Sequence, residues 1–406
     1  MIVYHIIVLI LFLIVAQYLY KKNKIIGADL YLILLYIISM LSGFFLKIDH
    51  NKYGIGASLY FFFTIMLFIF PIIKFNSTKL KEIVLLKRNL FNIISYAFII
   101  LGVFTYIFFF KTAFFILTSS QSFLALRSNM VGGEVYFFVN IFYYIVTLYC
   151  QFYPIVIVFY FYSKIFMDNS KFFNRLLLFA STGYIINVLS GVGRDGFVLW
   201  SMSYIFAFII FNNFMTEEMK KHEKRKLKYL IIIFLLIFIP ITVSRFSLDG
   251  NRYSVIFSII DYLGQQFSNF SQLYYSVSES LLSETSLKEI FPIFGKTEEI
   301  GNIDRYKYFL NLFDIDLYIF STFIGSFIKY VSKSGLLFVS LLYSFIFSFI
   351  VKNKGYVSLG KVILITLLAQ IPLHGLFYYN MAYIVCNFYM IGVLILSIIF
   401  WRAKNI

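Results

Sequence analysis

Eleven apolar runs follow one another along this chain, separated by polar breaks. They lie at 2–20, 28–46, 55–73, 90–110, 136–162, 176–190, 197–214, 229–244, 336–350, 362–380 and 383–401. A helical membrane span needs about 20 predominantly apolar residues. The succession therefore predicts an all-α polytopic membrane protein with about 11 transmembrane helices, the whole of 1–406 forming one integral membrane domain. Composition agrees: 61% of residues are hydrophobic and 13% charged, where soluble domains have about 45–50% and about 25%. This excludes a soluble enzyme, a disordered chain, a nucleic-acid-binding domain and a protein held by a single span. The runs at 176–190 and 336–350 read as short. The run at 136–162 reads as long, and Gln151 and Pro154 in its middle predict a kink. The first run has no basic region before it and no small-residue cleavage site, so it reads as a retained helix and not a signal peptide.

Sidedness follows from lysine and arginine. The alternate connections 21–27, 74–89, 163–175, 215–228, 351–361 and 402–406 hold 22 of the 35 Lys and Arg, including Lys220, Lys221, Lys224, Arg225, Lys226 and Lys228. The other set holds 13. Asp and Glu divide 6 against 13, with Asp29 counted on the first side, so the first set carries the whole formal net charge of +16. That side is expected to be cytoplasmic, the N-terminus outside and the C-terminus inside. The high isoelectric point then serves topology and contact with anionic headgroups; no nucleic-acid partner is implied.

The external connections are unequal. Residues 245–335 make a large external loop of about ninety residues, expected to carry interfacial helices, and long loops are usually functional. A second external segment is 111–135, and a third reads Gly191-Val192-Gly193-Arg194-Asp195-Gly196. In the last, the glycines allow a tight turn and close approach to a ligand, and Arg194 offers a two-pronged grip on phosphate. Equally, the stretch reads as a hairpin turn with Arg194 paired to Asp195. Arg127 lies in an amphipathic stretch that also suits an interfacial anchor. Arg245 and Arg252 flank a turn after the eighth run. These two suit simple interface anchors or a diphosphate site; the four external arginines near helix ends, Arg127, Arg194, Arg245 and Arg252, run against the positive-inside bias and raise the second possibility.

The stretch from Asp261 through Tyr262 and Gln265 to Phe270, continuing to Tyr274 and Tyr275, mixes aromatic rings, amides and a carboxylate. Rings can stack on sugar C–H faces while amides bond the hydroxyls, so Tyr253, Tyr262, Gln265 and Tyr274 are candidate sugar-binding residues; an aromatic belt at the interface would look the same. The base candidates are Asp195, Asp261 and His374, the last towards the outer end of the tenth run. His374 also fits a packed core histidine. Cys150 and Cys386 lie in apolar runs and suit neither a disulfide framework nor a metal site. Asp314 and Asp316 form a D-x-D pair, read here as a surface acidic pair. There is no zinc pattern, phosphate loop or serine-hydrolase elbow. No metal and no cofactor are expected.

Taken together, the layout resembles the integral-membrane oligosaccharide repeat-unit polymerases, or O-antigen polymerases. Similar stretches are the turn at Gly191–Gly196, Arg127 in the second external loop, and the re-entry from Ser321-Thr322-Phe323-Ile324-Gly325 through Ser334-Gly335. One departure is that neither Arg127 nor Arg245 has the glycine eleven positions on that some members carry; Phe138 and Ile256 stand there. The resemblance implies a glycosyltransferase of the bacterial inner membrane that joins glycans carried on undecaprenyl diphosphate. Its partners would be that lipid-linked oligosaccharide, membrane lipids and a chain-length regulator protein. A lipid-linked oligosaccharide flippase and an O-antigen ligase are the alternative readings of the same layout.

Overall fold

The computed structural model describes residues 2–46, 54–85, 87–119, 121, 125–126, 141–167, 169–193, 195–246, 255–277, 292–294, 320–328, 331–353 and 355–401, without the side chains of 2, 233–235, 237–246 and 255–259. Arg127, Arg194, Arg252, Tyr253, Asp314 and Asp316 lie outside the described residues. In chain order the helices are α1 (Ile2–Asn23), α2 (Ala28–Gly43), α3 (Ile55–Phe75), α4 (Arg88–Thr118), α5 (Ile141–Gln151), α6 (Tyr153–Phe166), α7 (Lys171–Ser181), α8 (Gly183–Ser190), α9 (Asp195–Phe211), α10 (Glu217–Phe246), α11 (Val255–Ser276), α12 (Thr322–Ile328), α13 (Lys333–Val351), α14 (Leu359–His374) and α15 (Ile384–Ile399). Two short strands, β1 (Glu82–Val84) and β2 (Tyr356–Ser358), pair in parallel with Ile83 opposite Val357.

Each of the eleven apolar runs meets a helix. Among the described residues six stretches are long and apolar enough to cross a membrane, or seven if the bent pair α5–α6 is one span; α2, α14 and α15 are apolar but shorter. The protein is thus a predominantly helical, multi-pass membrane protein. The kink expected around Pro154 is a 56° bend between α5 and α6. Phe152 sits at the break and Pro154 opens α6, where a missing N–H does no harm. The two runs that read as short are extended at their polar starts. Ser170 caps α7 by accepting from the Phe173 N–H, and Ser332 caps α13 by accepting from Gly335 N–H. Helix therefore begins several residues before the apolar pattern does. The chain continues from α7 through Thr182 into α8, giving a 20-residue stretch over Lys171–Ser190. The strand pair was not expected from the sequence. Both strands come from connections of the basic set, so those two connections share one side.

The described residues gather into two compact units. The first comprises 1–80, 257–355 and 367–388; the second comprises 81–256, 356–366 and 389–406. In the first unit α3 packs along α13 and α1 along α2. Phe61, Phe62, Phe68 and Phe12 fill its centre, edge to face with neighbouring rings. In the second unit α4 packs on α8 and α6 on both α7 and α9. Trp200 is fully buried there, and its indole N–H donates to Ser181 Oγ at 3.0 Å, which satisfies its polar edge.

Candidate functional site

The first unit contains a feature its apolar composition does not lead one to expect. Helix α11 is rich in amides, yet much of it is buried. Its seat is made by glycine. A Cβ on Gly264 would lie 2.6 Å from Gly43 N and 2.6 Å from Ser42 C, so α11 and α2 cross backbone to backbone, as small residues permit between membrane helices. Below that crossing Phe267 meets Phe61, and Phe270 meets Phe61 and Tyr60. Ser39 of α2 donates to Gln266 Oε1 at 2.9 Å, and Gln266 Nε2 donates to Tyr262 O at 2.5 Å.

A second row of side chains, spaced four residues apart, forms a ladder along α11. Gln265 Nε2 donates to Asp261 Oδ2 at 3.3 Å, and Asn269 Nδ2 donates to Gln265 Oε1 at 2.9 Å and to Phe320 O at 3.0 Å. Residues at this spacing stack on one helix face. Burial holds the Asp261 carboxyl above its ordinary value, a direction that suits proton transfer near neutral pH. Tyr262 packs edge-on to Phe320, with ring centres 4.9 Å apart. Phe320 stacks on Tyr378, and the chain beside it zips onto the end of α14: Thr322 N–H donates to Phe377 O and Phe323 N–H to Gly375 O. His374, buried at 2% exposure, ends that helix. Asp261, Tyr262 and Gln265 are thus brought into one neighbourhood, next to the stretch that holds His374. Tyr274 lies farther along α11 and its ring carries the Lys333 ammonium at 4.6 Å, so this ring face is occupied by a cation of the same unit.

Asp195 belongs to the second unit. It opens α9, where a carboxylate complements the helix dipole. Two stretches separated by about seventy residues in sequence meet just before it: Ile116, Leu126 and Val192 form a small buried cluster. Val192 has φ 56°, a left-handed conformation that is costly for a β-branched residue, so the turn stores strain. The crowding at its glycines is with Val188, whose Cγ1 would be 2.5 Å from a Cβ on Gly193 and whose Cβ would be 2.7 Å from one on Gly196. Arg245 lies within α10.

Sequence reasoning overlooked Asn269 as the link to Phe320, and Ser39 and Gln266 as the cross-helix bond. The signal for the first was present in the four-residue spacing 261, 265, 269. Among the described residues no group of three or more His, Cys, Asp or Glu is placed to hold a metal ion. No family model, no curated protein and no solved structure matches the chain.

Proposed function

We propose that this chain is a glycosyltransferase that joins oligosaccharide repeat units carried on undecaprenyl diphosphate, at the outer face of a bacterial inner membrane. The observation that carries the reading is the ladder Asp261–Gln265–Asn269, a buried carboxylate and two amides in a multi-pass apolar protein. Buried polar groups are costly unless they are hydrogen-bonded, and a buried, hydrogen-bonded acid is a candidate functional position; acid–amide rows flanked by rings suit sugar hydroxyls. In the reaction the acceptor hydroxyl oxygen forms a bond to the donor's anomeric carbon. The bond from that carbon to the diphosphate oxygen breaks and undecaprenyl diphosphate leaves with the electron pair. The hydroxyl proton passes to a carboxylate or imidazole, for which Asp261 is the first choice and Asp195 and His374 the others. Arg127, Arg194, Arg245 and Arg252 would neutralise the leaving diphosphate.

The test is deletion of the gene in its host with surface polysaccharide run on a gel. Loss of the long ladder, leaving one repeat on the lipid core, is the expected result. Polymer still made but not attached would indicate a ligase, and unpolymerised units held on the cytoplasmic side a flippase. An unchanged ladder would overturn the proposal. In a purified assay Asp261→Asn, which keeps the shape of the ladder but removes a basic oxygen, is expected to slow polymerisation about a hundredfold, with little change in protein yield.

A further inference from the structure

The second unit holds a charged cluster that the proposed reaction does not use. Glu223, on the polar first part of α10, is fully buried. Tyr160 Oη lies 2.9 Å from its Oε2 and donates to it, and Tyr204 donates to the same oxygen. Lys164 and Lys226 both pair with Oε1, the latter at 3.1 Å, and exposed His222 lies 3.6 Å away. The two ammoniums also flank the Tyr160 ring, at 5.9 Å and 5.2 Å from its centre. Three helices, α6, α9 and α10, therefore converge on one carboxylate.

Among the described residues the cluster is not neutral. Two ammoniums face one carboxylate, and α7, which carries the exposed Arg175, packs along α6, which carries Lys164. Each ammonium has three N–H donors. Lys164 directs one at Glu223, and Lys226 directs one at Glu223 and one at Tyr160 Oη. Among the described residues three donors are left over, on side chains 20% and 28% exposed. Arg175 adds a planar fork on an exposed side chain. An acceptor with several oxygens and a negative charge is what such a set binds, and a phosphate group has both. Lys164 lies in the last turn of α6, and Lys226 precedes the apolar part of α10. That is the level at which headgroups meet the ends of spans.

We propose that Lys164, Lys226 and Arg175 form a phosphate-binding site, oriented from beneath by Glu223 and Tyr160 and filled by the headgroup of an anionic phospholipid or by free phosphate. The full chain, purified in a neutral detergent, is titrated with short-chain phosphatidylglycerol, with phosphatidylcholine and with inorganic phosphate, while its thermal unfolding midpoint and the lipid retained in native mass spectrometry are followed. A lipid site is read as retention of phosphatidylglycerol over phosphatidylcholine, and a soluble-phosphate site as equal protection by inorganic phosphate. Arg175→Gln, at an exposed position that spares the fold, and Lys226→Gln are each expected to weaken binding about fivefold. Lys224→Gln, an exposed change of the same charge on the same helix, is expected to leave it unchanged. The site is overturned if neither phosphatidylglycerol nor phosphate protects, or if Lys224→Gln weakens binding as much as Arg175→Gln.

Discussion

Glu223→Ala is expected to be the most damaging single substitution in the second unit, lowering stability by about 3–5 kcal/mol. Breaking a buried ion pair from one side leaves the other charges uncompensated, and here it leaves Lys164 and Lys226 facing each other. Burial by itself would raise the Glu223 carboxyl, but the hydrogen bonds from Lys164 and Tyr204 and the charges of Lys226 and Lys164 outweigh it and hold the group at about 2. A carboxyl held below its unfolded value stabilises the fold above that unfolded value. The contribution is therefore complete above about pH 4.5 and is lost as pH falls towards 2, amounting to about 3 kcal/mol. Thermal unfolding of the detergent-solubilised protein across pH 2–6 measures it. Wild type should lose stability steeply through this range and Glu223→Gln should be flatter. Replacing Glu223, Lys164 and Lys226 together by apolar residues should recover much of the loss. If Glu223→Ala unfolds at the wild-type midpoint, the network does not support the fold.

Gly264→Val should have the largest effect in the first unit. Any Cβ there meets the backbone of α2 at 2.6 Å, and backbone cannot rotate away as a side chain can. The helices must separate, and overpacking of this kind costs about 1–3 kcal/mol. The shift also pulls Gln266 from Ser39 and tilts the ladder at Asp261, so polymer synthesis should fall further than protein yield does. Gly43→Ala, whose Cβ would lie 2.8 Å from His5 Nε2 and 3.0 Å from Gly264 O, should show the same pattern more mildly. The comparison is polysaccharide per unit of membrane-inserted protein. Wild-type polymer from Gly264→Val would separate the ladder from the function assigned to it.

The helical, multi-pass character was legible because an apolar run in a chain this poor in charge has few alternatives to a membrane helix, while the expected count of eleven spans meets six or seven stretches long enough to cross among the described residues. Their polar starts were not, because Ser170 and Ser332 begin helices through caps and not through hydrophobic pattern. The bend at Phe152 was legible from Pro154. Glu223 was hidden in plain sight: among Lys220, Lys221, Lys224, Arg225 and Lys226 it reads as one more solvated charge, and only the third dimension shows Tyr160 and Tyr204 closing over it. The acid and amides of α11 were noticed as a composition, while their partners Phe320 and Ser39 stand 51 and 227 positions away from Asn269 and Gln266. Pairings at that range leave no local trace. Strands β1 and β2 were missed for the same reason, being three residues each and far apart in sequence.

That last pairing bears on how the protein is made. Strand β1 leaves the ribosome about 270 residues ahead of its partner. At about 5–20 residues per second, it waits some tens of seconds with its edge unfilled. The first unit waits as well, since it is completed only by residues 367–388. Synthesis past residue 367 thus precedes the closure of the first unit, and the early helices lodge in the membrane in an interim arrangement until those segments arrive.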